Sequence, residues 1–344
     1  MTPAPGPLNL ITDVAGLLVG QAEDVAARSG VTVILAPDRA VCAADVRGGA
    51  PGTRETDALA PENLVDAVDA VVLSGGSVYG LAAADGVAAV LGARGDGFRL
   101  ATAPGVPVSP IVPAAILYDL ANGGDKGWGE TPPFRALGMA AVRSAGGMFA
   151  LGTAGAGCGA MAGRLKGGIG SASVIGADGY TVGAIAAVNS AGAVVAPGGR
   201  TFWATPYEIG GEFGGLGAGG LVGPPDDWGL AKGAPTAAQA DGRVNTTITC
   251  VATDAALTPA EAKRLAIMAQ DGLARAMRPA HTPFDGDIVF ALATGKRELP
   301  ERRLAMVARL GALAADCLAR AIARGVYEAT PWPGADTTCW RDLR

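Results

Sequence analysis

Histidine is nearly missing from this chain: of its 344 residues only His281 carries an imidazole. Hydrolytic zinc sites take two or three histidines and a Ser-His-Asp triad needs one beside its serine, so neither arrangement fits and any general base is of another kind. Five widely spaced cysteines (Cys42, Cys158, Cys250, Cys317, Cys339) contain no Cys-x-x-Cys pair, which argues against a disulfide framework or zinc cluster and for buried free thiols. No metal and no organic cofactor is expected. No run reaches the roughly 18 apolar residues of a membrane span, and the N-terminal Met-Thr-Pro-Ala-Pro-Gly-Pro lacks the basic start of a secretory signal, so a cytoplasmic protein without a membrane partner is expected. Basic residues are scattered and the formal charge is −5, which leaves no positive stripe for nucleic acid and favours a small substrate.

What is present suits one large α/β domain over residues 1–344. Hydrophobic residues make up 49% of the chain and charged ones 17%, enough for a sizeable core. The β-branched runs 31–36 and 68–73 predict strands, and alanine-rich stretches predict helices over 80–91 and from Phe134 to Ala145. Residues 181–196 read as a hairpin turning at Asn189-Ser190-Ala191-Gly192. From Pro197 to Arg243 glycine and proline recur, periodicity fades, and Trp203, Phe213 and Trp228 stand isolated, which predicts a long functional loop or tether. Beyond it, Thr246–Thr253 reads as a buried strand. Thr258-Pro259-Ala260-Glu261 has the N-cap, first-turn proline and capping-box glutamate of a helix running to about Met277. A strand follows over 285–293, then a helix from Pro300 to Arg324 with Gly325 in the C-cap position.

Several common motifs fail in context. Gly155-Ala-Gly157-Cys-Gly159-Ala160 fits the loose dinucleotide pattern, but Arg164-Leu-Lys-Gly-Gly-Ile-Gly follows where a helix is required. Gly295-Lys296 lacks the rest of a phosphate loop, and no serine stands in a Gly-x-Ser-x-Gly elbow. What remains is Asn245-Thr246-Thr247-Ile248, where the long loop meets a strand. A threonine hydroxyl is a weak nucleophile, yet an α-amino group freed on the same residue, with a pKa of about 7.7–8.0, accepts its proton near neutrality. By itself Asn-Thr-Thr reads as the plain start of a strand, and three residues do not overturn that reading.

A resemblance bears on that choice. Ile11-Thr12-Asp13-Val14, the Arg47–Asp57 string Arg-Gly-Gly-Ala-Pro-Gly-Thr-Arg-Glu-Thr-Asp, Leu73-Ser74-Gly75-Gly76-Ser77 and Lys166-Gly167-Gly168-Ile169-Gly170-Ser171-Ala172-Ser173 resemble successive signatures of the DmpA-type aminopeptidase family. So do Ala187-Val188-Asn189, Asn245–Ile248, Val251-Ala252-Thr253-Asp254 and His281-Thr282-Pro283-Phe284-Asp285-Gly286-Asp287. They are collinear over nearly the whole chain. That family also holds β-peptidyl aminopeptidases and the nylon-oligomer (6-aminohexanoate-oligomer) endohydrolase. The Asn-Thr-Thr junction and the Asp-x-Asp pair side with the nylon-oligomer enzyme, where the aminopeptidases generally have Ser and Ser-x-Glu.

The resemblance implies a four-layer α-β-β-α sandwich, self-cleavage between Asn245 and Thr246 into Met1–Asn245 and Thr246–Arg344, and an oligomer of cleaved pairs such as a tetramer. It implies Thr246 as nucleophile and base, with Asn189 and Lys166 near the oxyanion; an ungapped match would place the family's lysine at Arg164 instead. Asp285 and Asp287, straddling Gly286 at a strand start, would point the same way toward one cation, the Thr246 ammonium or Lys166. A solvated turn is their other reading. Tyr118 resembles a pocket tyrosine, and is otherwise a core residue. The implied activity is hydrolysis of linear amides such as 6-aminohexanoate oligomers. Removal of N-terminal residues from small peptides is the alternative, and an uncleaved, silent binding scaffold is a reading of another class.

Overall fold

The computed structural model describes residues 3–101, 103–218, 229–232 and 245–344. Its strands are β1 (Leu18–Asp24), β2 (Ser29–Val46), β3 (Thr53–Arg54), β4 (Ala67–Ser74), β5 (Ala114–Ile116), β6 (Met161–Ala162), β7 (Leu165–Lys166), β8 (Gly168–Ile175), β9 (Thr181–Asn189), β10 (Thr246–Ala255) and β11 (Ile288–Arg297). Its helices are α1 (Ala82–Arg94), α2 (Phe134–Arg143), α3 (Pro259–Ala269), α4 (Asp271–Ala276) and α5 (Arg303–Tyr327). The main sheet runs β3-β5-β4-β2-β11-β10-β9-β8, with β1 also on β2; β6 and β7 pair separately.

Alternation along the strands sorts this sheet into layers. In β4, Ala70 and Val72 join one buried cluster and Val71 and Leu73 another. In β11, Ile288, Phe290 and Leu292 share that second cluster while Val289 and Ala291 belong to a third. Successive side chains leave a strand on opposite faces, so strands with both faces buried carry continuous apolar runs. The clusters are the three interfaces of a four-layer sandwich: α1 and α2 on β2, β4 and β5; sheet against sheet; and α3, α4 and α5 on β8 to β11. The expected α-β-β-α architecture is present. Strand β2 joins the halves. Its Val31–Leu35 stretch pairs with β1 and β4, its Val41–Val46 stretch pairs with β11, and the register shifts between Leu35 and Ala40, where Arg39 takes a φ of 57°.

Three expectations need correction. The hairpin is not 181–196: β9 turns back from β8, which precedes it, and β10 occupies its other edge, so residues 193–196 find only isolated bridges to Arg278 and Phe202. The helix expected to reach Met277 breaks at Gln270, whose side-chain amide donates to Asp45 O at 2.7 Å. Gly325 lies inside α5 rather than beyond it. A Cβ there would sit 2.9 Å from Gly170 N and 3.0 Å from Gly168 O, so this glycine lets the helix press on β8. The capping box is as read, with Thr258 Oγ1 and the Glu261 carboxylate bonded reciprocally to the main chain.

The described parts of the long loop are tied down. Phe202 packs against Phe213 and stacks on Trp340, and Glu212 pairs with the buried Arg320 of α5 at 2.5 Å. Trp228 lies outside the described residues. Among those described, no helix is long and apolar enough to cross a membrane.

Candidate active site

Asn245 and Thr246 sit where β10 enters the sheet between β9 and β11. Thr246 lies directly across from Asn189, and Asn245 bridges to Asp285 in the loop that leads into β11. Both junction residues are buried, Thr246 being 1% exposed. The Thr246 hydroxyl donates to the carbonyl oxygen of Asn245 at 2.5 Å, and the Gly286 N–H donates to that same oxygen at 2.9 Å. The oxygen of this one peptide bond therefore meets two donors, one of them on the residue expected to attack it.

Glycines make the fit possible. A Cβ on Gly286 would sit 2.6 Å from Ala50 O and 2.8 Å from Thr246 Oγ1; one on Gly48 would lie 2.3 Å from both Asp285 O and Asp287 N. The Arg47–Ala50 loop can thus clasp the Thr282–Asp287 loop: Arg47 N and Gly48 N donate to Asp287 O, Gly49 N to Thr282 O, and Ala50 N to Asp285 O. The Arg-Gly-Gly-Ala string acts here as a main-chain clamp.

The two aspartates stand in that loop, ahead of β11, so strand alternation does not set their direction, and among the described residues neither bonds Lys166. Asp285 accepts from Ala191 N at 3.0 Å and from the Thr282 hydroxyl at 2.5 Å. Burial raises its pKa, and the charge of Asp287 adds to the effect. Asp287 accepts from Thr247 N at 2.9 Å and, through its other oxygen, from the main-chain N–H of His281 at 3.0 Å, with His281 Nδ1 2.9 Å away. That double contact accompanies a left-handed φ of 57° at His281. Asp287 fixes the main chain just after Thr246, and Asp285 fixes that of Ala191, two residues beyond the Asn189 that faces Thr246. Replacing either with alanine is expected to slow maturation or turnover by about tenfold or more while the chain still folds, since each removal strands buried N–H groups worth about 1–3 kcal/mol. Circular dichroism beside an activity assay checks this, and full activity in both variants would remove the pair from the site.

Asn189 is bonded at both ends: its Oδ1 accepts from Met161 N and its Nδ2 donates to Tyr118 O, each at 2.9 Å. A cavity of about 340 Å³ opens here, lined among others by Tyr118, Arg164, Asn189, Lys232, Asn245 and Trp332. Lys166 is not in its wall. It is fully buried, its ammonium donates to the carbonyls of Gly157, Ala160 and Gly167, and it lies 5.1 Å from the centre of the Trp332 ring. Burial draws its pKa down to about 7. Among the described residues no bond joins Lys166 to either aspartate. Arg164, by contrast, is carried to the cavity by the tight β6–β7 turn, where Gly163 adopts a φ of 57°.

Lys232 and the Gly286 N–H were not legible in the sequence. Lys232 lies in the long loop without a motif around it, and its ammonium donates to Met161 O and to Asn245 Oδ1, each at 2.7 Å. All five cysteines are buried free thiols. Among the described residues no cluster of three His, Cys, Asp or Glu side chains could hold a metal.

The four layers, helix on sheet on sheet on helix, define the class of N-terminal-nucleophile hydrolase folds. A solved L-aminopeptidase D-Ala-esterase/amidase from Ochrobactrum anthropi, described as a variant of that fold, superposes with a TM-score of 0.67 at 21% identity, over 97% of this chain and 90% of its own. The chain belongs to peptidase family S58, whose profile matches residues 9–339, and it is an amide-bond hydrolase. It is 45% identical to an uncharacterized aminopeptidase of Mycobacterium tuberculosis over 98% of both chains. It is 30% identical to a 6-aminohexanoate-oligomer endohydrolase of a Kocuria species, over 84% of this chain and 76% of that one.

Proposed function

We propose that this protein is an autoprocessing N-terminal-threonine hydrolase of short linear amides, cut between Asn245 and Thr246. The observation that carries the reading is the pair of donors, Thr246 Oγ1 at 2.5 Å and Gly286 N at 2.9 Å, on the oxygen of the bond to be broken. Thr246 Oγ adds to the Asn245 carbonyl carbon and the developing oxyanion stays on the Gly286 N–H. The C–N bond then breaks, the nitrogen keeps the hydroxyl proton, and water hydrolyses the resulting ester to an Asn245 carboxylate and a free Thr246 amine. In turnover that amine, with an ordinary pKa of about 7.7–8.0, takes the hydroxyl proton and passes it to the leaving amine of the substrate. Asn189, on the cavity wall opposite Thr246, supplies a further donor when its Nδ2 exchanges Tyr118 O for the substrate oxygen.

Removal of N-terminal residues from small peptides is the first choice of substrate, supported by the 45% identity to a mycobacterial protein named an aminopeptidase. Endo-hydrolysis of 6-aminohexanoate oligomers is the second, supported by Asn245-Thr246-Thr247, Asp285-Gly286-Asp287 and the 30% identity to that endohydrolase. Intact mass of the purified protein is expected to show two fragments, and an L-alanyl or β-alanyl anilide is expected to be turned over faster than a 6-aminohexanoate oligomer. A single uncut polypeptide that still hydrolyses amides would overturn the mechanism; the reverse substrate order would overturn the first choice.

A further inference from the structure

The chemistry assigned to Thr246 uses one place twice. During maturation its hydroxyl attacks the carbonyl carbon of Asn245; during turnover it attacks that of a substrate, whose acyl residue must then lie where Asn245 lay. What holds the Asn245 side chain therefore describes the acyl subsite. Asn245 is 2% exposed and lies at the cavity, and its Oδ1 accepts from Lys232 Nζ at 2.7 Å. Lys232 is also fixed without involving Asn245: its ammonium donates to Met161 O at 2.7 Å and its main-chain N–H to Ala191 O at 2.9 Å. Met161 is itself held by Asn189, and Ala191 by Asp285. Scission after Asn245 breaks none of these contacts. A second cation faces the same space: Arg164 N donates to Leu230 O at 2.9 Å, and its guanidinium makes no hydrogen bond or ion pair among the described residues.

We propose that Lys232 is a specificity residue, binding Asn245 Oδ1 before the cut and afterwards the side-chain oxygen of the substrate's acyl residue. The subsite then selects asparaginyl and aspartyl amides over aliphatic amides of the same shape. An ammonium donor to a side-chain oxygen is a charge-assisted bond, which an aliphatic substrate of the same shape does not make. The proposal rests on the reading of Thr246 as nucleophile.

L-asparaginyl and L-leucyl p-nitroanilides have nearly the same shape and differ in the carboxamide that carries that oxygen, so their kcat/KM ratio on the mature wild-type protein is the test. A ratio of about ten or more in favour of asparagine is expected, falling to about one in Lys232→Met and keeping its direction in Lys232→Arg. A wild-type ratio near one or favouring leucine, or a Lys232→Met protein that keeps the preference, overturns the proposal. If Lys232→Met stays uncut, the wild-type and Lys232→Arg ratios decide. A cleaved, active wild type without the preference sinks this inference alone; an uncut wild type that turns over neither anilide sinks the Thr246 reading and this inference with it.

Discussion

Thr246→Ala is expected to yield one uncut chain of 34.0 kDa, with amide hydrolysis reduced by about 10⁴-fold or more toward the uncatalysed background. The substitution removes the only hydroxyl bonded to the Asn245 carbonyl oxygen among the described residues, and with it the later proton acceptor, because no amine is released. Thr246→Ser supplies the control: it keeps an oxygen in the same place, so scission and activity should persist. Denaturing electrophoresis and a chromogenic anilide assay read both variants. Two bands from the alanine variant would mean that another group breaks the bond, and the assignment of Thr246 would fall.

Gly286→Ala should have the next largest effect although it adds a single methyl group. That methyl would lie within 2.8 Å of the attacking oxygen and 2.6 Å of the Ala50 carbonyl, and the latter is main chain locked into the Arg47–Ala50 clamp. Either Thr246 Oγ1 moves or the Gly286 N–H is drawn off the Asn245 oxygen. Loss of one such donor costs about 2.7–4 kcal/mol in comparable acyl transfers, so maturation is expected to slow by roughly 10²–10³-fold. A time course of band splitting after synthesis measures it, and scission at the wild-type rate would show that this N–H does not serve the reaction.

Local rules carried some parts of this protein and tertiary contacts decided others. The Thr258–Glu261 capping box and the core of β4 depend on neighbours within a few residues, and they are where patterning put them. Gly325 ends an apolar period just as a cap would, and only the position of Gly168 and Gly170 across the layer gives it another task. The Asn189 turn failed for the same reason: β8 and β10 take both edges of β9, and alternation within residues 181–196 cannot register distant partners. The candidates Thr246, Asn189, Asp285 and Asp287 are readable as residues, and the structure places them near one junction. Their contacts were not found, because those contacts run to main-chain N–H groups of Ala191, Thr247 and His281 that no side-chain pattern records. Lys232 offers no signal at all in a glycine- and proline-rich loop. The resemblance favours Lys166 over Arg164, and the geometry separates them: Lys166 is bound to carbonyls inside the protein and Arg164 borders the cavity.

The strand order has a consequence for how such a protein must be made. With the proposed cut after Asn245, strands β10 and β11 would belong to a short C-terminal piece threaded between β2 and β9 of a long N-terminal one. Produced separately, the long piece would face solvent with two bare strand borders and a missing middle, and the short piece would be a lone parallel pair with its helices; both are recipes for aggregation. Assembly of the whole sheet would have to come before the proposed scission, and pieces so deeply interleaved could be parted only by denaturing the protein.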